Sequence, residues 1–210
     1  MDRIADEVGA RIYAAAGKNP ARPPAGGCVA LALAIRGEDA IYLQPWAVSE
    51  ASLSTMLGVR RIVLRRGLPR ARVNFLVGQM LARLTIEDEC WFVGSSPDVQ
   101  ARITQRIGAW LAVPTPALAR LPRNSTEDVG ALADSFRVSW SCAAMRVAEA
   151  GGGDVAVVTP RTVYQRGSGI LARLPGAEVR SLAAKRSAKG LRRVVLHDEP
   201  GRVALLARSA

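Results

Sequence analysis

Histidine is almost absent: His197 is the single one in 210 residues. Schemes that need imidazole as a base or two imidazoles on a metal therefore have no set to draw on, and His197, beside Asp198 and Glu199, reads as a solvated turn residue. Cysteine is scarce as well. Cys28, Cys90 and Cys142 are far apart, odd in number and without a CxxC pair, which excludes a disulfide framework and a zinc knuckle and leaves buried reduced thiols. No apolar run approaches the roughly 20 residues that span a bilayer. The amino terminus, Met1 to Glu7, is too acidic and amphipathic for a signal peptide. The expectation is a soluble, cytoplasmic protein with no membrane partner.

Hydrophobic residues make up 49% of the chain, enough to bury a core in one sizeable domain or in a main domain with an appendage. The formal net charge is +11, carried almost wholly by arginine. Arg60, Arg61, Arg65, Arg66, Arg70 and Arg72 form one basic segment without an acid. The stretch from Arg161 to Arg193, including Lys185, Arg186, Lys189, Arg192 and Arg193, forms a second with Glu178 as its lone acid. Such segments suit phosphate or an acidic protein surface, because neutralised phosphates release counterions. With aromatics at 5% there is little in them for base stacking, and an arginine-rich composition accounts for the same charge.

Ile4, Val8 and Ile12 stripe an amino-terminal helix ending near Gly17, followed by a Pro/Gly-rich connection from Asn19 to Gly27. The apolar stretch Cys28 to Ile35 and then Ala40 to Leu43 are expected as the edge of a small sheet. Ser49 to Leu57 is expected as a short helix and Arg60 to Arg66 as a strand with a buried centre. Gly67-Leu68-Pro69 turns into a helix on which Val73, Leu76, Val77, Met80, Leu81 and Leu84 make the apolar stripe, with Arg72, Gln79 and Arg83 opposite. A further helix spans about Pro97 to Ala112, lined by Val99, Ile103, Ile107, Trp110 and Leu111 and stopped by Pro114 and Pro116. Ser125 with Asp128 fits a capping box for a helix through Phe136, and Ser139 caps another to about Ala150; the pair has a helix-turn-helix shape. After the hinge Gly151-Gly152-Gly153, Val155 to Val158, Thr162 to Tyr164, Val194 to Leu196 and Val203 to Leu206 are expected strands, the last two a hairpin over Asp198 to Gly201.

The order of elements and several phrases resemble the ImmA/IrrE family of zinc metallopeptidases. Ile62-Val63-Leu64 and Gly67 to Phe75 are similar to its strand, turn and run-in to the active-site helix. Trp110-Leu111-Ala112-Val113-Pro114 is similar to its closing Leu-Leu-Met-Pro, and Leu132-Ala133, Phe136, Val138-Ser139 and Arg146-Val147 resemble the positions that follow. Laid on Phe75, the resemblance puts Gln79 and Arg83 where the family has zinc-binding histidines, Met80 at its catalytic glutamate and Ile103 at its third ligand. None of the four can ligate zinc or activate water, and no Asp or Glu lies between Val99 and Thr126.

The resemblance implies an α+β fold: a zincin-like metallopeptidase scaffold over residues 1–124, inactive, helix-turn-helix-like helices over 125–150, and a small, basic, β-containing carboxy-terminal region over 154–210. No catalytic residue, metal or cofactor is expected. Active members of the family cleave DNA-binding repressors in bacteria and their mobile elements, so a non-catalytic, regulatory or partner-binding protein is expected here, its partner a transcriptional regulator. The alternative is a basic DNA-binding protein with little sequence preference, using the two arginine-rich segments. The helix from Ser139 to Ala150 offers Trp140, Ser141, Arg146 and Glu149, a poor surface for reading bases, and packing suits it better. An active metallopeptidase is the reading the residues support least.

Overall fold

The computed structural model describes residues 2–89, 96–119, 126–150, 153–167, 169–185, 194–199 and 202–207. They form a mixed α+β protein of two compact units, one of residues Met1–Arg120 with Ser135–Val138, the other of Leu121–Asp134 with Ser139–Ala210.

The first unit begins with α1 (Asp2–Ala15), which buries Val8, Ile12 and Tyr13 and ends at Gly17, whose φ of 63° lies in the left-handed region. Helix α2 (Cys28–Arg36) replaces the extended chain expected over Cys28 to Ile35. Its run of Ala and Leu suits a helix, and two glycines bound it. At Gly27, φ is 66° and a Cβ would come within 2.3 Å of Asn74 Oδ1; at Gly37, φ is 84°.

A single 3-10 turn (Glu38–Ala40) leads into β1 (Ile41–Gln44). Strand β2 (Ala51–Met56) stands where a helix over Ser49 to Leu57 was expected. It joins β3 (Val59–Arg65) through a two-residue turn in which Leu57 and Gly58 both have positive φ, 52° and 77°, as a tight hairpin demands. The strand order is β1-β3-β2, with β1 parallel and β2 antiparallel to β3. In the central strand Ile62, Val63 and Leu64 are buried and Arg65 is wet, the pattern expected from sequence.

Helix α3 (Arg70–Asp88) packs against α2, α4 (Pro97–Ala112), β2 and β3. It is therefore buried on more than the one stripe expected, taking in Asn74, Gly78, Ala82 and Ile86 as well as Leu76, Val77, Leu81 and Leu84. Ser96 caps α4, accepting from Val99 N at 3.4 Å, with Pro97 at the first helical position. Asp6 Oδ1 accepts from Trp110 Nε1 at 2.6 Å and from Thr115 Oγ1 at 2.9 Å, so α1 is latched onto α4 and the short α5 (Thr115–Leu118). Tyr13 meets Trp110 edge to face at 5.8 Å and donates to Leu111 O at 3.1 Å, and burial pushes its phenol far above the ordinary tyrosine range.

In the second unit α6 (Thr126–Phe136), whose last two residues belong to the first unit, is followed by α7 (Trp140–Glu149). Ser139 caps α7 as expected, accepting from Cys142 N at 3.2 Å; the proposed cap Ser125 lies outside the described residues. Strands β4 (Asp154–Val158), β5 (Val163–Arg166), β6 (Val194–Glu199) and β7 (Arg202–Ala207) make an antiparallel sheet in the order β5-β4-β7-β6. Between β5 and β6 lie α8 (Ile170–Arg173) and α9 (Gly176–Ala184), neither foreseen from sequence. Every residue of β4 is buried, because α7 packs on it and so do α8 and α9. Ala156, Val158, Leu171, Val179, Ala183, Leu205 and Ala207 form the core beneath α8 and α9. Among the described residues no helix is long and apolar enough to cross a membrane.

Candidate functional site

The four positions that the sequence singles out lie on α3 and α4. Gln79 does not sit on a solvated face. It is half-buried against Gly108 of α4, where an added Cβ would fall 2.7 Å from Gln79 Cγ and 2.9 Å from its Cα and N. One residue earlier, a Cβ on Gly78 would meet Gly108 O and Cys28 Sγ, each at 3.1 Å. The helices touch backbone to backbone at this level, an approach that glycine alone permits. Met80 is half-buried and Ile103 buried in α4. These side chains fill space between elements and bring no imidazole, carboxylate or thiolate that would hold zinc.

Arg83 is exposed one turn beyond Gln79, and Glu87, four residues on, takes its guanidinium: Arg83 Nε donates to Glu87 Oε1 at 2.7 Å. Glu87 is also bound by Arg60. Partial burial pushes the Glu87 carboxyl up, but the hydrogen bonds and charges of Arg83 and Arg60 outweigh this and hold it below the ordinary glutamate range. Arg83 is therefore one member of an internal charge network.

Four arginines of the first basic segment are engaged in the same way, two of them sharing Glu50. Arg60 pairs with Glu87 and Asp88, Arg61 with Asp39 at 3.4 Å, Arg65 with Glu50 at 3.6 Å, and Arg72 with Glu50 at 2.5 Å. Arg36 of α2 adds a second cation to Asp88. Of the six arginines, only Arg66 and Arg70 are exposed without an acidic partner among the described residues. Sequence reasoning missed Asp39, Glu50 and Asp88, since acids distant in sequence give no sign of where they will fold. Glu87 was within reach, four residues beyond Arg83.

From the second basic segment, Lys185 is exposed at the carboxy-terminal end of α9, while Arg186, Lys189, Arg192 and Arg193 lie outside the described residues. Helix α7, the candidate reading helix, has no exposed residue from Trp140 to Glu149. It packs on β4 and β5, and its Arg146 is buried against Glu149, which also meets Arg166 at 3.5 Å. A helix covered in this way cannot enter a major groove.

Among the described residues no three His, Cys, Asp or Glu side chains come together as metal ligands. No protein-family model matches the chain, and no match is found among curated proteins. Among solved structures, a Mycobacterium tuberculosis transcriptional regulator is similar in fold. It superposes with a TM-score of 0.64 at 12% identity, over 97% of this chain and 76% of the other, and the likeness is one of fold alone.

Proposed function

We propose that this protein is a non-catalytic, regulatory or partner-binding relative of the ImmA/IrrE-like proteins, with a zincin-like first unit, and that its partner is a transcriptional regulator in a bacterial cytoplasm. The observation that carries the reading is the α3–α4 contact. Where the resemblance puts a first histidine, Gln79 packs on Gly108, and where it puts a second, Arg83 is bonded to Glu87. A metal-activated water has neither ligands nor space at that level. The fold shared with a transcriptional regulator is in keeping with a regulatory role.

Sequence-tolerant DNA binding is the second reading, and the ion pairs weigh against it: Arg60, Arg61, Arg65, Arg72 and Arg166 are each engaged by an acid, leaving Arg66, Arg70, Arg161, Arg173 and Lys185 as the exposed cations of the two segments, among the described residues, that could contact phosphate. The two readings separate when the protein is used to capture partners from its own cell extract with and without nuclease. A protein retained after nuclease supports the first. Capture abolished by nuclease, with affinity for random duplex falling steeply as salt rises, favours the second. Elemental analysis provides the further check, since one zinc per chain surviving dialysis would overturn the non-catalytic reading.

A further inference from the structure

Among the described residues strand β1 is an edge strand, paired with β3 alone, and the apolar side chains around it face solvent. Tyr42 is 43% and Leu43 51% exposed within the strand, Trp46 is 88% exposed just beyond it, and Val48 is fully exposed on the same loop. At the other end of the sheet Leu57 is 97% exposed on the β2–β3 turn and Val59 is exposed at the start of β3. An unpaired ladder bordered by large apolar side chains is a template for another strand.

The charges at the two ends of β1 decide what that strand is. Glu38 opens the turn that feeds β1 and is exposed. Arg66 lies beside the far end, its backbone N donating to Gln44 O at 3.1 Å, and its exposed side chain has no acidic partner among the described residues. The strand thus has an acidic beginning and a basic end. Antiparallel pairing of two identical strands about a two-fold axis at Tyr42, which sets each Tyr42 opposite its counterpart, brings the beginning of each against the end of the other. Glu38 of one copy then approaches Arg66 of the second, and the Trp46 and Val48 end of one approaches the Leu57 and Val59 end of the other. Both patterns are self-complementary under the same operation, as a two-fold interface requires.

We propose that the protein forms a two-fold dimer through β1, joining two three-stranded sheets into one of six strands. Pro45 limits the shared ladder to Ile41–Gln44. Four residues a side fall short of the roughly 1,000 Å² that a specific interface buries, and the exposed side chains of Tyr42, Trp46, Val48, Leu57 and Val59 supply the remainder.

Sedimentation equilibrium on the full chain tests this. The expected result is a reversible dimer whose dissociation constant rises roughly tenfold in Glu38→Arg and in Arg66→Glu, because each reversal acts at two symmetric contacts, and returns toward the starting value when the two are combined. Circular dichroism spectra unchanged in all three variants separate a lost interface from a lost fold. A monomer at every concentration overturns the proposal, as does a monomer that takes up an extended peptide of another protein along β1. A dimer insensitive to the charge exchange overturns the β1 pairing.

Discussion

Arg60 on β3 and Glu87 in the last turn of α3 form an ion pair across 27 positions of sequence, and Arg60 also donates to Asp88 at 3.0 Å. The carboxy-terminal end of α3 is crowded with acid, Glu87, Asp88 and Glu89, where the helix dipole favours cations. Arg36 of α2, Arg60 of β3, Arg83 of α3 itself and Arg11 of α1 meet those acids, so four elements are tied at one place. The network gives Arg60 its partners at the half-buried start of a strand whose centre, Ile62 to Leu64, faces the core.

Replacing Arg60 with Gln removes two of these contacts at once. The pairs are about a third exposed, so the expected loss is modest, about 1 kcal/mol at low ionic strength and less in high salt. Urea unfolding of both proteins at two salt concentrations checks it. A loss that does not shrink with salt would mean that Arg60 acts by packing its aliphatic stem.

The carboxyl of Glu87 gives the same network a pH dependence. Its value in the folded protein is held below the ordinary one, so the stabilisation is present above the ordinary glutamate range and is lost as the pH falls through the folded value. The stability gap between the natural protein and Glu87→Gln should therefore be widest near neutrality and close in acid. A gap that stays constant from about pH 7 to about pH 3 would contradict the pairing.

Gly108 is expected to resist substitution. A methyl group there meets the backbone of Gln79 at 2.9 Å, which no rotation of a side chain relieves. Gly108→Ala should cost about 2–3 kcal/mol by pushing α4 off α3, although alanine is the better helix former. Denaturant midpoints decide it, and an unchanged or higher midpoint would mean that the helices are further apart.

Asn74 is the polar counterpart of that contact. Its Oδ1 accepts from Cys28 N at 2.5 Å at the start of α2, and its Nδ2 donates to Phe136 O at 2.8 Å, both buried. Asn74→Ala leaves a donor and an acceptor without partners and should cost about 3 kcal/mol. Asn74→Asp keeps the bond to Cys28 and repels Phe136 O, so it should fall between the two in thermal melting.

The amphipathic periods of α1 and α4, the capping of α7 by Ser139, the apolar centre of β3 and the strand segments of the carboxy-terminal sheet were legible in the sequence. Each depends on local spacing, cap chemistry or β-propensity, which neighbours in the chain determine. That Gln79, Met80, Arg83 and Ile103 carry no imidazole, carboxylate or thiolate is likewise read from the sequence, since residue identity needs no coordinates. Tertiary structure decided the rest. The first N–H of Cys28–Arg36 is satisfied by Asn74 from 46 positions away, and Ala51–Met56 is a strand because β3 offers it an edge and Leu57-Gly58 makes the turn. The arginine-rich segment looked like a free cationic stripe, and only the fold showed Asp39, Glu50, Glu87 and Asp88 beside it, since Coulomb pairing depends on distance in space, which sequence separation does not reveal.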